Sequence, residues 1–169
     1  NSLVLGLATA LIAAVFAAPF ALFSAFRRIP GGPLIEAAAL APLLVPLHVH
    51  TIGWMRIFGR QGLATQALAE ATGYVHDVRM PWLGIYLGPA WILATALFPL
   101  VAFPTLAGLR ALEGDAIDAA RLSGVGRLTI LRRIVLPTIA PRVFGGMFFV
   151  FAVAAGSLPV TSLLDTPVL

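Results

Sequence analysis

Residues 109–142 read LRALEGDAIDAARLSGVGRLTILRRIVLPTIAPR, and they separate two stretches with no charged side chain, Met80–Leu109 and Val143–Leu164. Crossing a bilayer takes about 20 apolar residues at about 1.5 Å rise each, so both flanks are long enough to span. Two further stretches are equally free of charge, Asn1–Phe26 and Ala37–Met55. The charged segment is therefore a connection between spans, and four spans make an all-α, polytopic helical bundle.

The connection has its own helical grammar. Asp115 is placed as an N-cap, and Asp118 three residues later completes a capping-box-like start. A short helix then runs to about Leu122, and Gly124 stands where a left-handed residue would end it. A second helical stretch begins near Arg127, with Leu128, Leu131, Ile134 and Val135 on one side. Pro137 and Pro141 are expected to turn the chain back into the membrane. The first helix has a small face, Ala116, Ala119 and Ala120. Pattern alone leaves two readings open, a solvated return loop with basic ends or a docking knob for a soluble partner.

Composition supports the membrane reading. Of 169 residues, 60% are hydrophobic and 11% charged, whereas soluble domains carry roughly 25% charged residues. One soluble core could not hide this much apolar surface, since a domain of about 150 residues leaves roughly 30% of its unfolded-chain surface exposed. The net charge is +4, and all 11 basic residues are Arg. They lie between apolar runs, so they mark topology rather than a nucleic-acid surface. Cysteine is absent, which excludes disulfides and thiolate metal sites.

Arginine placement orients the bundle. The first and third connections hold eight arginines (Arg27, Arg28, Arg110, Arg121, Arg127, Arg132, Arg133, Arg142), and the second holds three (Arg56, Arg60, Arg79). The arginine-rich side faces the cytoplasm, so segments 27–35 and 110–142 are cytoplasmic and the N-terminus is outside. A chain that begins and ends outside is expected to be part of a longer one, lacking a span at each end. The outer connection, about Arg56–Arg79, is broken by Gly59, Gly62 and Gly73, with a short interfacial helix expected at Leu63–Ala71. Seven prolines (Pro19, Pro42, Pro46, Pro89, Pro99, Pro104, Pro159) fall inside the apolar windows as kinks, which a membrane bundle tolerates.

The spacing Asp118-Ala119-Ala120, three residues, Gly124, nine residues, Ile134-Val135-Leu136-Pro137 resembles the signature of binding-protein-dependent ABC importer permeases. That signature is Glu-Ala-Ala, then Gly, then Ile-x-Leu-Pro at the same intervals; Asp118 replaces Glu, keeping the charge and shortening its reach. Asn1-Ser2-Leu3 is similar to the opening of the family's core, and Leu43-Leu44-Val45-Pro46 with Gly53-Trp54 and Phe58-Gly59-Arg60 to its second helix and exit. The resemblance implies a type I importer core spanning 1–169 in a bacterial inner membrane. It implies that Asp118 through Gly124 dock on a separate ATP-binding subunit, and that Ile134, Leu136 and Pro137 set the angle of return to the membrane. It also implies an extracytoplasmic substrate-binding protein and a second permease half as partners.

The chain binds no cofactor in this reading and is not an enzyme; ATP belongs to the partner. A phosphate-binding loop GxxxxGK[ST] needs a lysine, and there is none. His48 and His50 are the candidate pathway-lining residues, although positions two apart on a helix point about 200° away from each other. Glu36 sits at the cytoplasmic edge of the second span, and Gly84 and Gly88 form a helix-packing GxxxG. The end of the fourth span, Gly156 to Leu164, is similar to permeases of the ferric-iron group, which suggests iron(III) as substrate. That group also includes importers of polyamines, thiamine, phosphonates and sulfate-like anions. An ion-coupled secondary transporter is the alternative; it needs ionisable residues at mid-membrane, and only the two histidines come near.

Overall fold

The computed structural model describes residues 2–26, 30–59, 62–72, 87–112, 122 and 124–157. The first helix, α1 (Ser2–Phe26), is a single unbroken rod of 25 residues, about 37 Å at the α-helical rise. Its buried face is a stripe of small side chains, Ala10, Ala13, Ala17 and Ala21, with Leu5 and Thr9 above them. The face turned away carries Leu3, Leu7, Leu11 and Val15, all exposed. A helix apolar on both faces suits a lipid surround. The small stripe lets neighbours approach closely, and α1 packs against three later helices.

The second span is broken. Helices α2 (Gly32–Ala39) and α3 (Ala41–Leu44) are followed by α4 (Leu47–Phe58) and α5 (Leu63–Thr72). Segments Gly32–Leu44 and Leu47–Ala71 meet at 99°. The expectation of one continuous crossing over Ala37–Met55 is therefore corrected. Pro46 disfavours helical backbone at the residue before it, and Val45 is extended at φ −90°, ψ 124°. Helix α5 occupies the place expected for the short interfacial helix. Gly59 ends α4 by returning its N–H to the Met55 carbonyl at 2.8 Å.

The third span is also bent, by 47°, between α6 (Leu87–Leu97) and α7 (Pro99–Ala111). Pro99 stands at the start of α7, where its missing N–H costs least. Gly88 of the expected GxxxG is buried; Gly84 lies outside the described residues.

The fourth span differs most from expectation. It starts at α8 (Arg127–Ile130), continues through a π turn (Leu131–Val135) and runs on as α9 (Leu136–Ala155). Leu128–Ala155 is one apolar helix of 28 residues, so neither Pro137 nor Pro141 turns the chain, and the span begins well before Val143. The π turn accommodates Pro137: the Leu136 N–H bonds to the Leu131 carbonyl, five residues back, and the widened turn leaves room for the ring. Side chains satisfy carbonyls near the prolines: Thr138 Oγ1 donates to the Ile134 carbonyl at 2.7 Å, and Arg142 Nη1 to the Thr138 carbonyl at 3.0 Å. Gly156 ends α9.

Among the described residues two helices, α1 and Leu128–Ala155, are long and apolar enough to cross a membrane, and there are up to four crossings if each bent pair is one span. No strand occurs among those residues. The main core joins α1, α6, α7 and α9 through Leu5, Ala13, Leu93, Val101 and Val150. A second cluster at the other end joins Ala21, Leu106, Leu109, Ile130, Val135 and Ile139.

Candidate coupling segment and interspan cluster

Four of the signature residues can be placed. Gly124 has φ +74°, the left-handed conformation expected of a helix stop, which residues with a Cβ rarely adopt. Immediately after it, the Gly126 carbonyl accepts the N–H groups of Thr129 and Ile130 at 3.0 and 3.1 Å and so starts α8. Ile134 is half-buried against the second core cluster. Leu136 and Pro137 are exposed. Asp118, Ala119 and Ala120, together with Asp115, lie outside the described residues.

Ile134, Leu136 and Pro137 form no corner, because the helix runs straight through them. Ile134 and its neighbour Val135 instead seat the π turn on α1 and α7, beside Ala21, Leu106 and Leu109. The segment from Gly124 to Pro137 is thus a left-handed stop, one α turn and one π turn, continuous with the fourth span. Large apolar side chains stand exposed at its loop end: Leu122 is 90% exposed and Leu128 59%.

A second feature was not foreseen. Arg110, at the end of α7, pairs with Glu36 of α2 at 2.5 Å. The pair ties the ends of two candidate spans, 74 residues apart in sequence. Both residues flank apolar windows on the same side, and that shared edge was the available signal.

The two histidines separate. His48 is exposed, whereas His50 faces the third span. Trp54 Nε1 donates to His50 Nε2 at 3.2 Å, and Thr95 Oγ1 lies 3.1 Å from the same nitrogen. Indole N–H can only donate, so Nε2 is the acceptor and the ring proton sits on Nδ1. The single Thr95 hydroxyl proton is directed to the Ile92 carbonyl at 2.8 Å, so Trp54 is the donor to His50 Nε2. Aromatic rings extend the cluster: Trp54 meets Trp91 edge-on with centroids 6.2 Å apart, and Trp91 meets Phe16 of α1 at 5.1 Å. His50 is thereby held by spans rather than presented alone. The i, i+4 spacing of His50 and Trp54 was legible as a helical pair; Thr95 and Trp91 are partners only through the tertiary fold. Among the described residues, no group of three or more His, Asp or Glu side chains could hold a metal ion.

Residues 2–168 match the family described as binding-protein-dependent transport system inner membrane component. The chain belongs to this family. It is an all-α membrane permease domain and part of a multi-pass membrane protein. It is 29% identical over 154 residues to a sulfate transport system permease protein of Salmonella typhimurium, covering 89% of this chain and 53% of that one. An ABC transporter permease protein of Sinorhizobium fredii is 28% identical over 140 residues, 82% of this chain and 24% of the relative. A 2-aminoethylphosphonate transport system permease protein of Salmonella paratyphi A is 27% identical over 124 residues, 72% and 42% of the two chains. The permease domain thus spans between about a quarter and a half of the length of these relatives.

Proposed function

We propose that this chain is the membrane-spanning core of an ATP-driven importer, and that it carries a tetrahedral oxyanion delivered by an extracytoplasmic binding protein. Work enters from a separate ATP-hydrolysing subunit through the 110–142 loop, with a second permease half completing the pathway. The arginine-rich connections face the cytoplasm of a bacterial inner membrane. The observation that carries the coupling role is the left-handed Gly124 next to the exposed Leu122. A large apolar side chain presented beyond the membrane-spanning helices, on a tight stop, is a surface suited to a protein partner. The loop's continuity with the fourth span supplies a rigid element through which two packings can be biased.

The oxyanion rests on the relatives. Two of the three are named for sulfate and 2-aminoethylphosphonate, both tetrahedral oxyanion chemistries. None of the three is named for iron, and the stretch on which the iron(III) expectation rested lies, beyond Ser157, outside the described residues. The oxyanion reading takes its place.

Two experiments test this. A cysteine introduced at Ala120 should crosslink to the cognate ATPase in the assembled transporter; an assembled transporter with no crosslink defeats the coupling role. Uptake by cells carrying the intact system should be competed by sulfate-like oxyanions. Uptake of ferric iron unaffected by any oxyanion defeats the substrate reading and leaves the coupling role standing.

A further inference from the structure

His50 Nε2 has more neighbours than it can bond in one protonation state. Trp54 Nε1 lies 3.2 Å from it and Thr95 Oγ1 3.1 Å. An imidazole nitrogen presents either a lone pair or a proton, not both. The indole N–H can only donate, so in the neutral ring it takes the lone pair. The Thr95 hydroxyl proton is turned to the Ile92 carbonyl at 2.8 Å. No proton is then left for the line between Nε2 and Thr95 Oγ1, although the two atoms stand at bonding distance. Neutral His50 is thus bonded to its own helix, α4, and only abuts the third span.

Adding a proton reverses this. Imidazolium donates from both nitrogens, so Nε2–H meets a Thr95 lone pair 3.1 Å away, in a charge-assisted bond about twice as strong as a neutral one. Trp54 Nε1 loses its acceptor in turn. One proton therefore moves the ring's bond from Trp54, one turn along the same helix, to Thr95, 45 residues away on α6. The exchange falls at a joint: α4 is connected to α3 through the extended Val45, and it is seated on α5 and α6 by side-chain contacts. The other titratable side chains of α4 are His48, on another side of the helix, and Arg56; α5 brings Glu70, and α6 brings none. Among the described residues, His48, Arg56 and Glu70 make no bond to His50, whose partners are Trp54 and Thr95.

We infer that His50 is a proton-operated latch between the second and third spans, closed onto Thr95 when the ring is protonated and released to Trp54 when it is neutral. The latch depends on neither the cargo nor the direction of transport. The full-length permease, assembled with its ATPase and with any cysteine outside residues 1–169 replaced, is spin-labelled through Ile57→Cys on α4 and Leu87→Cys on α6, both exposed positions. The separation of the labels is read by double electron–electron resonance without nucleotide. Between about pH 8 and about pH 5, either side of the ordinary imidazole value of about 6.5, the distance distribution loses its longer component. Thr95→Val, which removes the accepting oxygen, keeps that component at both pH values. His50→Gln, whose amide holds a donor and an acceptor permanently, gives one distribution at both. A wild-type distribution that does not change with pH overturns the latch. So does a change that persists in Thr95→Val, which would show another partner, or in His50→Gln, which would show another titrating group.

Discussion

At Gly146 there is no space for a single methyl group. A Cβ there would lie 2.8 Å from both the Leu100 carbonyl oxygen and Val101 Cα, and backbone cannot swing aside as a side chain can. Gly146→Ala should therefore destabilise the bundle by about 1–3 kcal/mol, read as a lowered melting temperature of the purified protein. Gly6 is crowded too, by the Phe151 ring at 2.9 Å and the Phe151 carbonyl oxygen at 3.0 Å, of which only the ring has some freedom to turn. Gly124 differs again: nothing crowds it, and its φ of +74° alone makes it glycine. Gly124→Ala should cost about 1–2 kcal/mol locally and weaken co-purification with the ATPase while leaving the membrane bundle's melting temperature unchanged. Gly124 and Gly146 show what a sequence can tell at this scale. A helix stop has a local signature, so Gly124 was legible. Gly146 was not, because which backbone passes against it depends on α7, more than 40 positions earlier.

Among the elements, the fourth span teaches most. Pro137 and Pro141 were read with the rules of helices in water, where a proline in the interior breaks the helix. Here the helix continues through both, with a π turn directly before Pro137. The bent second span errs in the opposite direction: its apolar window looked continuous, yet Val45 before Pro46 is extended. Proline position alone does not separate these outcomes; at Pro137 the difference is the π turn that relieves the ring. A π turn holds one residue more than an α turn needs, so it sets the phase between the loop and the span. Deleting Arg133 should rotate everything before it by about 100°. The variant should still insert, but the crosslink from Ala120 to the ATPase should vanish. A crosslink that survives would mean the loop's register does not depend on this turn.

On the scale of the whole molecule, charge placement gave the most from the least. Eight arginines against three suggested an orientation without any contact being known. Because the chain has no cysteine, single replacements can test it: a membrane-impermeant thiol reagent should reach Ala111→Cys only from the cytoplasmic side and Leu63→Cys only from outside. The Glu36–Arg110 pair joins two spans on the arginine-rich side, but Arg110 is 47% exposed. Screening by solvent limits such a pair to about 0–1 kcal/mol, so Glu36→Gln should shift the melting temperature little. The aromatic array lies nearer the middle. Phe16, Trp91 and Trp54 belong to the first, third and second spans in turn, and the Trp54 and Trp91 ring planes cross at 88°. Two indoles so close and so nearly perpendicular couple their electronic transitions, which gives the protein a near-ultraviolet circular dichroism band of its own. The band should fade whenever the second and third spans part, so the transporter's cycle can be followed optically, without a label.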